Sequence, residues 1–440
     1  MKTKLIALAV LATLGGAAHA QSSAEQLQQA LAQAQQAAAD AQKAADQARK
    51  ALADIQQASA SAQPHNPTAA QPGFDTDKPL SGGLVLGTSN DFVRLYGLID
   101  LSVSRHTNAN SSGASLTDMS VAWFSGNRWG LEGAHALKTA DDLKAIFRLE
   151  SEYELPTGNM DSPGTLFNRD AWMGLESKSL GKLTIGRQNT LAREFSKIYG
   201  DPYGSSKVTM NEGGYTNNNN FKQLIFYSGS ATGTRYDKGV VWKKEFDKIV
   251  VGVGYQFGGI PGDFNSGSTK SLGVAYNGGT ANLSAFYNTA TVAGMTNTSY
   301  SIGGNYKLGI VRLNAGYFHY TADQPTVIGN RKDNAYTVSA KIAPKGVFDY
   351  EVGYQVMDAD NAAVNGGGYV LNAYANASNA TAAASGKRKT VYGSMFFHFD
   401  SRTELYLAAD QLNTDGNYLA SQANGHKSQF GMATGMRFRF

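Results

Sequence analysis

No cysteine occurs in the 440 residues. That excludes a disulfide scaffold and leaves a Cys-ligated zinc, an iron–sulfur cluster or a thiol nucleophile without its ligand. Charge is also scarce, at 17% of residues against a usual roughly 25%. The formal net charge of +4 is too small for this length to mark a nucleic-acid partner, which needs a concentrated basic face. Beyond the first 20 residues no stretch approaches the roughly 18 consecutive apolar residues of a spanning helix. A membrane location would therefore require a closed barrel, because an open sheet edge in lipid leaves backbone groups unsatisfied. What is present in excess is glycine, with 49 residues, alongside 22 Tyr and 20 Phe, a composition that suits a turn-rich β chain.

Residues 1–20 begin with Lys2 and Lys4, continue through the apolar run Leu5–Leu14 and end in Ala18-His19-Ala20. These are the three parts of a secretory signal, and a membrane anchor would need a longer apolar run. Residues 21–57 contain a stretch rich in Ala and Gln without Gly or Pro. Apolar positions recur at alternating spacings of three and four through Leu27, Leu31, Leu52 and Ile55, which predicts a helix with a coiled-coil seam. A solvated single helix held by alanine propensity is the alternative. Residues 58–83 hold Pro64, Pro67, Pro72 and Pro79 among small polar residues and read as an extended linker.

From residue 84 to 440 the pattern changes to strand, turn, strand. Ile249, Val251, Val253, Tyr255 and Phe257 alternate with Val250, Gly252, Gly254 and Gln256, and Phe348, Tyr350, Val352 and Tyr354 alternate with Asp349 and Glu351. Connections alternate in length as well. Short turns at Ser177–Gly181, Asp247, Asn277–Gly279 and Lys307–Gly309 are separated by long polar loops such as Gly258–Ser268 and Ala359–Lys387. Short turns on one rim and long loops on the other predict an all-β fold, an antiparallel transmembrane β-barrel of about 16 strands. Aromatic residues near strand ends, including Tyr153, Trp172, Tyr255, Tyr300, Tyr306 and Tyr354, are expected in the interfacial girdles. Parity places Arg128 and Glu132 on the lumen side opposite Trp129 and Leu131, and Arg148 inward opposite Phe147 and Leu149. Arg312 falls on the polar face of its strand, and Arg437 and Arg439 face the lumen or a rim because Arg in lipid would cost about 2–4 kcal/mol.

Several motifs carry a resemblance. Leu95-Tyr96-Gly97, Asn127-Arg128-Trp129-Gly130-Leu131-Glu132-Gly133, Phe167-Asn168-Arg169-Asp170-Ala171-Trp172, Leu183-Thr184-Ile185-Gly186-Arg187 and the terminal Arg437-Phe438-Arg439-Phe440 occur in that order. In this the chain resembles the trimeric general porins of Gram-negative outer membranes, of the β-proteobacterial type. The N-terminal helix departs from them and is similar in arrangement to the coiled coil of DcaP-type porins. The resemblance implies a homotrimer in outer-membrane lipid passing small hydrophilic solutes, with a preference for anions. It implies recognition of Phe440 by the outer-membrane assembly machinery. It also implies an inward-folded constriction loop, here about residues 189–234, whose acids Glu194, Asp201 and Glu212 oppose a basic ladder of Arg128, Arg169 and Arg235. Phe221–Tyr227 reads as a strand within that loop; as a wall strand it would change the register of Arg235. The helix would hang into the periplasm as a stalk toward peptidoglycan or another periplasmic partner.

Three other readings compete with this one. A porin selective for small carboxylates or dicarboxylates shares the architecture. A structural tether would make the stalk the main functional part. An outer-membrane hydrolase would need a Ser with a nearby His, and no motif surrounds the seven histidines, among them His135, His319 and His398. Asp358-Ala359-Asp360-Asn361 lacks the remaining spacing of a calcium loop, so neither metal nor cofactor is expected.

Overall fold

The computed structural model describes residues 83–120, 123–138, 142–200, 205–211, 230–344, 346–371, 377 and 379–440, together with Ala39, Asp46 and Lys50, which are helical and exposed. The seam residues Leu27, Leu31, Leu52 and Ile55, the linker, Asp201, Glu212 and Phe221–Tyr227 lie outside the described residues.

The described residues form one sheet of 18 strands with antiparallel neighbours. Sixteen of them make the wall: β2 (Phe92–His106), then β4 (Asn127–Ala136), β5 (Lys144–Tyr153), β6 (Asp170–Ser177), β7 (Gly181–Asn189), β8 (Arg235–Phe246), β9 (Ile249–Gln256), β10 (Thr269–Asn277), β11 (Ala281–Val292), β12 (Met295–Leu308), β13 (Val311–Ala322), β14 (Arg331–Ile342), β15 (Phe348–Ala363), β16 (Ala383–His398), β17 (Thr403–Thr414) and β18 (Ser428–Arg439). Two short pieces, β1 (Leu84–Gly87) and β3 (Leu116–Ser120), pair with opposite ends of β2. Closure comes from β18 against β2, running from Gly431 opposite His106 to Arg439 opposite Leu98. The terminal Phe440 continues it: its amide donates to the Gly97 carbonyl at 3.2 Å and its carbonyl accepts from the Gly97 amide at 3.0 Å. Gly97 has to lack a side chain, since a Cβ there would overlap the Phe440 ring.

Burial follows the period of two. Along β9, Ile249 and Val253 are exposed while Val250, Gly252, Gly254 and Gln256 are buried. Along β18, Phe430, Met432, Thr434 and Met436 are exposed while Gln429, Ala433, Arg437 and Arg439 are buried. A barrel inverts the usual sense of exposure: the exposed apolar stripe is the face lipid would cover, and the buried polar stripe looks inward.

Two expectations require correction. Trp172 does not join an outer girdle; it is 6% exposed and shares the inner face with Asp170. Tyr300, Tyr306 and Tyr354 are outward and exposed as expected. The second correction concerns the long-loop rim. There β11 and β12 are joined by Ala293-Gly294 alone, both with positive φ (50° and 77°), the backbone of a two-residue hairpin turn.

Candidate pore constriction

The loop after β7 enters the barrel as a helix, α1 (Leu191–Gly200). Leu191, Phe195 and Tyr199 recur every four residues and share one helical face. They dock on inward positions that the wall leaves bare. A Cβ at Gly252 would lie 2.9 Å from Leu191, one at Gly273 2.6 Å from Phe195, and one at Gly316 would overlap the Tyr199 ring. Each large apolar group so buried contributes about 1.5–3 kcal/mol. Polar groups of the wall fasten the backbone. Ser284 Oγ donates to the Phe195 carbonyl, Asn305 Nδ2 donates to Ile198 O at 2.9 Å, and Tyr236 Oη accepts from the Leu191 amide at 3.0 Å. Further along the loop, Asn277 both accepts from and donates to the Val208 backbone.

The structure brings Arg128, Arg169 and Arg235 together on the inner faces of β4–β8. Arg169 is bound by both Glu150 and Glu152. Arg128 Nη1 stands 4.0 Å from Glu150, and its Nε donates to Gly126 O at 3.0 Å. Arg235 Nε is 3.8 Å from Asp170, which also receives Arg148 at 3.6 Å. The phenol of Tyr96 donates to Glu150 at 2.9 Å. Buried ions of this kind persist only when neighbouring charges and hydrogen bonds compensate their desolvation. Arg193 of α1 lies within electrostatic reach of both Arg128 and Arg235. Arg312 lies on the inner face of β13 with the buried Asn314.

Glu194 is placed differently from the expectation. It does not oppose the arginines; its carboxylate accepts from Asn189 at 3.0 Å and faces Lys197 at 3.5 Å and Lys243 at 4.0 Å. Among the described residues, the acids that meet the arginines, Glu150, Glu152 and Asp170, belong to the wall. Among the described residues of β2–β8 and α1, the inward bases Arg94, Arg128, Lys144, Arg148, Arg169, Lys182, Arg193, Lys197, Arg235 and Lys243 outnumber the acids Asp100, Glu132, Glu150, Glu152, Asp170, Glu176 and Glu194.

Further segments turn inward besides the expected loop. Trp123 and Phe124, just before β4, pack with Phe396, Tyr406, Ala408 and Ala433. They are held there by Asp100, whose carboxylate accepts from the Ser125 amide at 2.8 Å and from Tyr406 Oη at 2.6 Å. In the loop after β17, Tyr418, Ala420 and Ala423 pack against Met357, Tyr392 and Leu412. Thus α1 contacts β9–β14, the segment before β4 lies on β16–β18 and the adjoining β2, where Trp123 stacks on His106 at 5.6 Å, and the loop after β17 lies on β15–β17.

This is the interior of a channel, with a strand-built wall, a helix folded across it and charge concentrated opposite. Residues 7–417 match the sequence profile of the Gram-negative porins. The chain belongs to that family. This porin is 29% identical to an outer membrane porin protein of Bordetella pertussis over 265 residues, 52% of this chain and 64% of that one. It is 24% identical to outer membrane porin protein 32 of Delftia acidovorans over 374 residues, 79% of this chain and 94% of that one. The Bordetella match thus spans slightly less than two thirds of its relative. Among solved structures, the anion-selective porin from Comamonas acidovorans superimposes with a TM-score of 0.62 at 20% identity, covering 80% of this chain and all of that one. OmpT of Vibrio cholerae gives 0.57 at 16% identity, covering 81% and 100%. These likenesses establish the fold, and family and closed barrel together make the chain an outer-membrane porin.

Sequence parity found Arg128, Glu132 and Arg148. It could also have found Trp172, Lys182 and Lys243, which alternate with Met173, Leu183 and Trp242 on their strands. Asp100, part of the motif after Gly97, is also turned inward by its parity between Ile99 and Leu101, but nothing local announces its partner Tyr406 on β17 or the packing of Phe124 on Phe396 of β16.

Proposed function

We propose that this porin is a water-filled diffusion pore for small hydrophilic solutes with a preference for anions. The observation that supports the reading is the excess of inward bases over acids among the described residues of β2–β8 and α1, which include Arg128, Arg169 and Arg235. Fixed positive charge in a narrow, low-dielectric passage raises the local anion concentration and orients polar solutes across the pore. The anion selectivity named for the Comamonas porin agrees with it. Planar-bilayer recording under a potassium chloride gradient tests the reading. A reversal potential toward that of chloride is expected; a potential toward that of potassium would reject anion preference, and absence of steady conductance would reject the pore.

The same reading includes a homotrimer, as in the trimer form described for OmpT, and Phe440 as the signal for assembly. It also includes cleavage of residues 1–20 and a separable periplasmic stalk over residues 21–57. Deleting residues 24–57 should leave single-channel conductance unchanged. Loss of the channel would instead favour a stalk required for barrel assembly.

A further inference from the structure

At the short-turn end of the barrel interior lies a cavity of about 560 Å³, separate from the Arg128–Arg169–Arg235 cluster. Its back is the inner face of β2–β7; the β1–β2 turn closes one side, and Asn211 from the loop after α1 borders another. The lining has two characters. Phe92, Ile146 and Trp172 offer apolar surface, while the charged lining is Arg94, Lys144, Arg148 and Lys182 with Glu132 and Glu176, and Arg148 also reaches Asp170 at 3.6 Å. Glu132 is shared, with Arg94 at 2.5 Å and Arg148 at 2.8 Å, and the four bases of the lining outnumber its acids even with Asp170 included. Lys182 Nζ stands 4.5 Å from the centre of the Trp172 ring, and the Arg148 guanidinium carbon 5.7 Å from it. The ring thereby holds two cations at the cavity wall by cation–π attraction.

One further feature points to an occupant. The Trp172 indole N–H is buried and has no acceptor among the described residues. Trp can only donate, and a buried donor without a partner is uncommon enough to call for an explanation. An anionic oxygen entering the cavity would supply the acceptor and meet Lys182 and Arg148 at the same place. An inorganic anion would satisfy the charge but leave the Phe92 and Ile146 surface without a partner. The volume is in the range of small organic ligands.

We propose that this cavity is a binding site for small organic carboxylates with an apolar body, of which benzoate is the simplest aromatic probe, and that such solutes pause there on passage through the barrel. The proposal rests on the pore reading for the passage but not for the binding. In the site the carboxylate accepts from the Trp172 indole and pairs with Lys182, while the ring or alkyl body lies against Phe92 and Ile146.

The test is benzoate titration of the detergent-solubilised full-length protein by calorimetry, with inorganic phosphate as competitor, on wild type, Trp172→Phe and Lys182→Gln. Saturable binding is expected, weakened about tenfold or more by either substitution, each of which removes one hydrogen bond to a charged group, and not displaced by equimolar phosphate. Trp172→Phe keeps an aromatic ring and Lys182→Gln keeps most of the chain length, and a retained urea-unfolding midpoint separates a lost contact from a lost fold. Absence of saturable binding, affinity unchanged by either substitution in a folded variant, or equal binding of phosphate would overturn the proposal. In bilayers, benzoate is expected to interrupt chloride current saturably. A protein that binds benzoate but carries no chloride current would refute the pore while keeping the site.

Discussion

The ring of Phe195 lies so close to Gly273 that a β-carbon on that glycine would fall 2.6 Å from it. Helix and wall are therefore matched by what the wall omits, and the position of α1 in the lumen depends on that omission. Neither residue stands out alone, since Phe195 is an apolar residue in a loop and Gly273 a weak strand former.

Gly273→Val should consequently dislodge α1 rather than be absorbed, because Phe195 is fully buried and has no open space to turn into. Single-channel conductance is expected to rise as the constriction loosens. Gly393→Val is the control: the nearest atom to a Cβ there is the Glu351 carbonyl oxygen at 3.4 Å, and conductance should match wild type. Equal conductance in both variants would show that α1 does not limit the pore.

Arg169 offers the sharpest test of the charge arrangement. It binds Glu150 and Glu152 together, so Arg169→Ala removes one positive charge and leaves two carboxylates less compensated. Anion preference should fall severalfold, read as a shift of reversal potential toward that of potassium. Glu152→Gln should move it the opposite way. An unchanged potential in both would place the ion path elsewhere.

The barrel was legible because a strand shows its two faces every second residue, and lipid and lumen ask for different chemistry at each. Arg128, Glu132 and Arg148 could be assigned inward on that ground alone. Nearness to a strand end is the weaker signal and misplaces Trp172, whereas its parity with Asp170 points it inward. The helical spacing of Leu191, Phe195 and Tyr199 was also present in the sequence, but the complementary glycines lie on other strands and share no local pattern with it. Glu194 shows the same limit: its neighbour Lys243 is 49 residues away, and only the closed barrel brings the two together.

Acid should loosen the loop after β17 at its base. There Asp415 accepts from Lys389 Nζ at 2.7 Å and from the Lys387 amide at 2.9 Å, and the hydrogen bond from Lys389 holds its carboxyl below the usual carboxylate range. A depressed folded value means the tie is complete above the unfolded value, near 3.9, and is lost as pH falls through the lower folded one. Hydrogen-exchange protection at Gly416–Tyr418, taken relative to the intrinsic exchange rate at each pH, should fall below about pH 4. Asp415→Asn should show low protection at every pH, and wild-type protection that does not change with pH would refute the tie.

Arg437 and Glu404 are both fully buried at the inner wall, joined by two hydrogen bonds from the guanidinium to one carboxylate oxygen. The guanidinium carbon also lies 5.6 Å from the Phe124 ring centre and 5.9 Å from that of Phe396. Removing one partner strands the other in a site too dry for an isolated charge, at a cost of about 3–5 kcal/mol. Arg437→Met should therefore lower stability to urea by about that amount. Adding Glu404→Gln removes the stranded charge while Met fills much of the space between the two rings, and His398 keeps its 3.1 Å contact with Asp349. The double variant should recover most of the loss, to within about 1–2 kcal/mol of wild type. Additive losses in the two variants would instead mean that Glu404 is held mainly by His398, at 3.1 Å from its other oxygen, and that Arg437 stabilises the wall through the rings and Ser125.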